Sequence, residues 1–243
     1  GGTYTVTLSD GNGCTISSTF VIAEPSALSV ADQITDVVCF GALNGGIDLT
    51  VTGGLPSYSF QWSNTATSED LAGLSGGTYT VTITDANACT TVQTYFVFEP
   101  TQLMVSFTQV DVSCNGLTDG SIDVSVLGGT VPYTYDWNSG TYTTEDLSGL
   151  AAGTYNLVVT DANSCTAIAT VTIIEPSALG LGGIVVDVSC NGIQDGSIDV
   201  SASGGTLPYA YAWNTGATSE DLTGQSGGTY TVTLSDGNGC TIS

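Results

Sequence analysis

The sequence predicts an all-β protein built from tandem immunoglobulin-like antiparallel β-sandwich domains that form an extended rod. Three observations lead to this fold class: a repeat of about 75 residues, short strand patterns separated by turn residues, and a Trp and a Tyr at fixed positions in the repeat. The tripeptide Gly-Thr-Tyr marks the repeat, because it begins at residues 2, 77, 153 and 228.

The phase of the repeat defines four predicted segments. Residues 1–17 are identical to residues 227–243, so the sequence closes on itself after three repeats. We therefore expect a section of a longer array that continues in both directions. The predicted segments are the C-terminal part of a preceding repeat at 1–25, repeat domains at 26–100 and 101–176, and a repeat domain without its last strand at 177–243.

The strand patterns are clearest in the repeat 101–176. Residues 121–127 alternate between apolar and polar side chains, which is typical of a half-buried strand. Further strands are predicted at 132–137, 153–161 and 166–174, with a weakly patterned edge strand within 141–150. Short strands with turn signals every 8–12 residues indicate an antiparallel sandwich.

Aromatic residues narrow the prediction to an immunoglobulin-like sandwich. A Trp falls on the predicted strand C, and a Tyr at the start of strand F suits a tyrosine corner. These side chains are predicted to belong to the core rather than to a ligand platform: Trp62, Trp137, Trp213, Tyr79, Tyr155 and Tyr230.

The composition excludes several classes of function. The chain has no Lys, Arg or His and 23 Asp and Glu, so nucleic acid and anionic membranes are excluded as partners. No apolar run reaches the ~18 residues of a membrane span, so direct membrane insertion is not predicted. The adjacent carboxylates Glu69-Asp70, Glu145-Asp146 and Glu220-Asp221 would point to opposite faces of a strand, which is unsuitable for acid–base catalysis. The chain is therefore predicted not to be an enzyme.

Calcium is the one cofactor that the sequence leaves open. Acidic residues in or beside turns offer oxygen ligands, which calcium prefers. The same residue types are also ordinary turn formers, and that alternative stays open. The calcium candidates are Asp119, Asp123, Asp195, Asp199, Asp85 and Asp161, with Asp236 in an equivalent turn.

The seven cysteines allow two regular pairing frames. A spacing of 25 residues gives Cys14–Cys39, Cys89–Cys114 and Cys165–Cys190, and we favour this frame. A spacing of 50 or 51 residues gives Cys39–Cys89, Cys114–Cys165 and Cys190–Cys240. An immunoglobulin-like topology places the A–B and F–G connections at opposite ends, which argues against the second frame.

Three motifs in combination resemble the SprB repeat. The first is Val-Ser-Cys-Asn-Gly-x-x-Asp-Gly-Ser-Ile-Asp-Val at 112–124 and 188–200, and Gly-Gly-Thr-x-Pro-Tyr-x-Tyr-x-Trp-Asn follows at 128–138 and 204–214. The third motif, at 152–166, consists of Ala-Gly-Thr-Tyr followed by Thr-Asp-Ala-Asn-x-Cys-Thr. The first repeat departs from the pattern with Phe40, Asn44 and an earlier Pro56.

The resemblance implies a large cell-surface adhesin of gliding bacteria in the Bacteroidetes, exported by type IX secretion. The predicted function is a stalk or filament that mediates surface attachment and gliding motility. The alternative is a repeated module that binds calcium or polysaccharide. The expected partners are neighbouring repeats of the same chain and an extracellular polysaccharide or solid surface, and the expected location is the cell surface.

Overall fold

The chain consists entirely of strands, turns and irregular connections. The computed structural model describes all residues from Gly1 to Ser243 and contains twenty strands. No helix that is long and apolar enough to cross a membrane is found. Two compact units are present, Gly1–Gln102 and Leu103–Ser243, and each is described by itself.

The first unit begins with an antiparallel hairpin of two strands, β1 (Gly2–Ser9) and β2 (Thr15–Ile22). A complete repeat follows in the same unit. Its strands are β3 (Ser29–Thr35), β4 (Gly45–Thr52), β5 (Ser59–Trp62), β6 (Leu71–Leu74), β7 (Gly77–Thr84) and β8 (Thr90–Val97).

The second unit contains two further repeats with the same succession of elements. The strands of the middle repeat are β9 (Met104–Val110), β10 (Gly120–Leu127), β11 (Thr134–Trp137), β12 (Leu147–Leu150), β13 (Gly153–Thr160) and β14 (Thr166–Ile173). Those of the last repeat are β15 (Gly180–Val186), β16 (Gly196–Ser203), β17 (Ala210–Trp213), β18 (Leu222–Gln225), β19 (Val232–Ser235) and β20 (Thr241–Ile242).

Strand order identifies each repeat as an immunoglobulin-like sandwich, as the sequence predicted. If the six strands of a repeat are named A, B, C, E, F and G in chain order, one sheet has the order A-B-E and the other C-F-G. All pairings are antiparallel. This is the arrangement of the immunoglobulin fold without its strand D. The hairpin β1–β2 matches strands F and G in sequence.

Each repeat has its own hydrophobic core between its two sheets. In the middle repeat, Ile122 and Val124 of strand B face Trp137, Leu157 and Val159 of the other sheet, and none of the five is more than 5% exposed. Burying side chains of this size contributes about 1.5–3 kcal/mol each. Separate cores formed by Trp62 and Trp213 with their neighbours occupy the other two repeats.

The predicted core aromatics lie inside the repeats. All three Trp side chains are buried, and the indole Nε1 of Trp137 donates to Thr144 O at 3.0 Å. Tyr155 is buried, while Tyr79 and Tyr230 pack against their cores and are partly exposed. Each Tyr donates its hydroxyl to a carbonyl four residues earlier, at 2.8–3.0 Å, in the tyrosine-corner arrangement.

Two connections lie at opposite ends of each sandwich. The A–B loop of the middle repeat (residues 111–119) packs at the C-terminal end of β14, where Val112 N donates to Ile174 O at 3.0 Å. The F–G turn of that repeat (residues 161–165) precedes β14, and Ala162 N donates to Thr130 O at 2.8 Å. At ~3.3 Å per residue, an eight-residue strand separates the two by roughly 25 Å.

Candidate functional site

The F–G turn is organised around one buried aspartate. In the last repeat (residues 236–240) this is Asp236, which accepts backbone N–H bonds from Thr206 at 2.8 Å, Asn238 at 3.0 Å and Cys240 at 2.9 Å. Asp85 and Asp161 have the same role in the other repeats. The three are the buried charged residues of the chain. Because the carboxylate holds the turn and the B–C loop together, the following cysteine is presented in a fixed position.

In two of these turns, those of Asp85 and Asp236, the surroundings favour the ionised carboxylate. The hydrogen bond from Leu55 N–H, with a second from Cys89 N–H, holds the pKa of Asp85 below its ordinary value. For Asp236, burial acts to raise the pKa, but the N–H groups of Thr206 and Cys240 outweigh it, and the net shift of the pKa is downward. The turns of Asp85 and Asp236 are therefore held in place at neutral pH by a charged acceptor.

The A–B loop is also fixed by carboxylates. Asp119 accepts the N–H of Ser113 at 3.0 Å and the Ser113 hydroxyl, and these bonds lower the pKa of Asp119. Glu175, from the Glu-Pro pair that ends the repeat, accepts the N–H of Gly116 at 2.6 Å. Asn115 Nδ2 donates to Pro176 O at 3.1 Å. Cys114 thus projects from a loop that is tied to the exit of its own repeat.

A disulfide joins these two elements between consecutive repeats. Cys114 in the A–B loop of the middle repeat is bonded to Cys240 in the F–G turn of the last repeat, 126 residues later. The contact also includes a hydrogen bond from Asn238 Nδ2 to Ser113 O at 2.8 Å. Leu117, Leu179 and Ile242 line a cleft beside the disulfide. The junction therefore combines a covalent bond, a polar contact and apolar surface.

This pairing corrects both frames that the sequence suggested. Cys14, Cys89 and Cys190 are exposed free thiols, whereas Cys39 and Cys165 are disulfide-bonded. All three pairs of the 25-residue frame, and all three of the 50-residue frame, are thus contradicted. A bond between Cys89 and Cys114 would need the segment before Cys114 to run back along β8, but β9 pairs with β10 of its own repeat.

The calcium candidates are distributed over separate elements and take structural roles. Asp85 and Asp161 accept backbone N–H groups within F–G turns, while Asp119 and Asp195 accept the N–H of Ser113 and Ser189. Asp123 and Asp199 are exposed on strand B. Nowhere do three or more acidic or sulfur side chains form a group suited to a metal ion. Calcium binding by these residues remains a prediction from the sequence.

The adjacent Glu-Asp pairs have structural partners. Asp70, Asp146 and Asp221 each accept a backbone N–H of strand B at 2.9 Å. Glu220 accepts the hydroxyl of Tyr211 at 2.8 Å, and burial followed by this hydrogen bond raises the pKa of Tyr211 to about 12. In the pair Glu220-Asp221, the two carboxylates therefore serve different contacts and do not converge on one site.

Threonine and serine hydroxyls line the outer face of the F–G hairpins. Thr80 and Thr94 hydrogen-bond across the strands at 3.1 Å, and Thr7 and Ser17 at 2.7 Å. Because these hydroxyls satisfy one another, the face is stable without a ligand.

The strand order defines this chain as a tandem array of immunoglobulin-like domains, and a disulfide joins the middle domain to the last one. The chain carries three SprB repeats, because the model of that family matches residues 31–67, 106–142 and 182–218. A search of curated proteins found no significant match.

The similarity of this chain to solved structures is remote. One match is a C-terminal 282-residue fragment of intimin in complex with the translocated intimin receptor intimin-binding domain. Its sequence is 15% identical and the TM-score is 0.36, and the match covers 65% of this chain and 67% of that one. The N-terminal eight Ig domains of Down Syndrome Cell Adhesion Molecule are 10% identical with a TM-score of 0.31, over 99% of this chain and 50% of that one. The fold assignment rests on the strand order described above.

Proposed function

We propose that this chain is part of the stalk of a large adhesin at the bacterial cell surface, and that it has no catalytic role. The observation that carries the proposal is the Cys114–Cys240 bond, which connects the A–B loop of one repeat to the F–G turn of the next. Those connections lie at opposite ends of a sandwich, so such a bond favours consecutive domains in series. A disulfide also suits an oxidising, extracellular location.

The charge of the chain supports an extended arrangement. With 23 acidic side chains and no Lys, Arg or His, the domains repel one another, which favours an extended array over a collapsed one. Of the adjacent carboxylates that a catalyst would need, Asp70, Asp146 and Asp221 are bonded to the backbone and Glu220 to the hydroxyl of Tyr211. The SprB repeats support a role in attachment and, within that family, in gliding motility after type IX secretion.

Scattering and imaging of the oxidised chain test the stalk proposal. Three repeats of about 35–45 Å each would give a particle on the order of 100–140 Å long, since an eight-residue strand spans roughly 26 Å at ~3.3 Å per residue and the connections at both ends add to that length. The matched control is the double variant Cys114→Ser/Cys240→Ser, for which we expect a larger spread of lengths. A compact globule for the oxidised chain would contradict the stalk.

The alternative, a repeated polysaccharide-binding module, predicts a different result. Under the stalk proposal, the 243-residue chain should show no saturable binding on an array of neutral and acidic glycans. Saturable binding that is lost when Thr80 and Thr94 are both replaced by Val would favour the alternative, because Val removes the hydroxyls but keeps the shape and the strand preference.

A further inference from the structure

Three phenylalanine side chains are exposed at one end of the first complete repeat. Phe40 lies in its A–B loop (residues 36–44) and is 56% exposed. Phe96 is on β8 and Phe98 directly follows that strand, and they are 61% and 52% exposed. Val97 between them is buried in the core, so Phe96 and Phe98 project from the opposite side of the chain. We call the three side chains the phenylalanine patch.

Hydrogen bonds hold the A–B loop against the chain segment that carries Phe98. Val37 N donates to Phe98 O at 2.9 Å, and Gly41 N donates to Glu99 Oε1 at 2.6 Å. Phe40 lies between these two attachment points in the chain. The loop and the end of strand G therefore present their phenylalanines at the same end of the repeat.

The fold does not require phenylalanine at any of the three positions. The middle repeat has Asn115, Thr172 and Ile174 there, and its A–B loop is attached in the same way, with Val112 N donating to Ile174 O at 3.0 Å. Apolar surface that stays in water forgoes about 25 cal/mol per Å² of stabilisation. A group of exposed apolar side chains that the fold can do without is typical of an interaction site.

Carboxylates accompany the phenylalanine patch. Glu99 follows Phe98 in the chain, and Asp36 Oδ1 accepts the N–H of Phe98 at 2.8 Å. No side chain of this protein can neutralise them, because it contains no Lys, Arg or His. A surface that combines aromatic rings with carboxylates is complementary to Arg and Lys, which bind carboxylates through charge-assisted hydrogen bonds and aromatic rings through cation–π contacts.

From this combination we propose that the phenylalanine patch is a docking surface for another protein, whose contact surface presents Arg or Lys among aliphatic side chains. A second copy of the chain is unsuited, because it would bring only acidic side chains, and like charges that face each other weaken an interface. An anionic membrane is unsuited for the same reason. The docking surface is independent of whether the chain serves as a stalk.

Each part of such a partner has a counterpart on the patch. Aliphatic side chains of the partner remove the phenyl rings from water, and the centres of protein interfaces are enriched in aromatic residues. The guanidinium or ammonium groups lie over the ring faces and reach the carboxylates of Asp36 and Glu99. The rings therefore supply most of the affinity, and the carboxylates select a basic partner over an acidic one.

The test uses the isotope-labelled 243-residue chain and a short synthetic peptide in which Arg and Leu alternate. Titration at ~0.15 M salt screens the long-range attraction between the acidic chain and any cationic peptide. We expect saturable binding, with the largest NMR shift changes at the amides of Gly41, Thr78, Phe96 and Phe98. Thr78 is included because it pairs with Phe96 in the sheet.

The main variant is Phe40→Asn/Phe96→Thr/Phe98→Ile, which places the residues of the middle repeat at the three positions. Its affinity for the Arg–Leu peptide should be at least about tenfold lower, because aromatic anchors carry most of the binding energy of an interface. A peptide in which Arg and Gly alternate should bind the parent chain and the variant equally weakly, since it responds only to charge. Thermal unfolding of the variant, followed by circular dichroism, checks that the fold is retained.

A second variant tests the carboxylate separately from the rings. Glu99→Gln keeps an oxygen that can accept the N–H of Gly41 but removes the charge. It should weaken binding of the Arg–Leu peptide about two- to fivefold, the range of an exposed ion pair. Glu175→Gln is the matched control, because Glu175 accepts the N–H of Gly116 in the same way in a repeat without the patch. It should leave the affinity unchanged.

Three outcomes would overturn the proposal. If the parent chain and the triple variant bind the Arg–Leu peptide equally well, the attraction comes from net charge and the patch is not a docking surface. If a peptide in which Glu and Leu alternate binds the parent chain as tightly, the partner is not basic. If the parent chain dimerises in sedimentation equilibrium and the triple variant does not, the patch is occupied by a second copy.

Discussion

Removal of the Cys114–Cys240 disulfide should destabilise the last repeat by about 4 kcal/mol. The A–B loop is held beside Pro176 by Asn115. Unfolding of the last repeat alone therefore opens a closed loop of about 64 residues, from Pro176 to Cys240. In the chain-entropy model, such a loop stabilises the folded state by ~4 kcal/mol, and the full 126-residue loop by ~5 kcal/mol if both repeats unfold.

Hydrogen exchange of the double variant Cys114→Ser/Cys240→Ser measures this effect. Peptic peptides that span β16 and β19 should exchange about 10³-fold faster than in the parent chain, because each 1.4 kcal/mol corresponds to a factor of ten. Peptides of β4 and β7, in the other unit, should be unchanged. Cys190→Ser is the matched control, since it alters the same loop position where the thiol is free. Equal exchange in the parent and the double variant would refute the reasoning.

Three further predictions concern the core, the A–B loop and calcium. Trp137→Ala should destabilise the middle repeat by about 3–5 kcal/mol in denaturant unfolding, because loss of the buried indole leaves a cavity. A loss of stability below ~1 kcal/mol would show that the indole is not central to the packing of the core. Because the pKa of Asp119 is lowered in the folded state, its ionised carboxylate stabilises the fold fully above the ordinary pKa of 3.8, and this stabilisation is lost as the pH falls through the lower folded pKa. Asp119→Asn should therefore flatten the dependence of unfolding free energy on pH in that acidic range. An unaltered dependence would contradict this role. If the turn carboxylates bind calcium, a chelator should lower the Tm, and an unchanged Tm would refute calcium binding.

Much of the fold follows from local sequence patterns. The alternation at 121–127 predicts strand B, which is observed at Gly120–Leu127. The predicted strand at 153–161 is observed at Gly153–Thr160, with a Tyr at its start that forms the tyrosine corner. The weak pattern at 141–150 contains only a short strand E, Leu147–Leu150. Strand A at Met104–Val110 was not predicted, because its alternation is broken and most of its side chains are exposed.

The junction could not be predicted because its partners lie in different repeats. The A–B loop cysteine and the F–G turn cysteine are 51 residues apart within the middle repeat, from Cys114 to Cys165, and adding one repeat of 75 residues gives the observed separation of 126. A periodic sequence places an equivalent cysteine at both separations, so spacing alone cannot distinguish them. The fold determines the pairing, because it places the A–B loop and the F–G turn at opposite ends of one sandwich. The F–G turn of the next repeat is therefore the partner of the loop.

The Cys114–Cys240 bond also changes how the chain carries tension. When the unit Leu103–Ser243 is pulled from its two ends, the load passes directly from Cys114 to Cys240 through the two sulfur atoms. The roughly 125 residues between them lie outside the loaded path, even if the sandwiches that they form come apart. At ~3.5 Å per extended residue, about 440 Å of chain is withheld from stretching until the bond is reduced. The disulfide therefore acts as a limit on extension, and the redox state of its surroundings sets the length to which this segment can be drawn out.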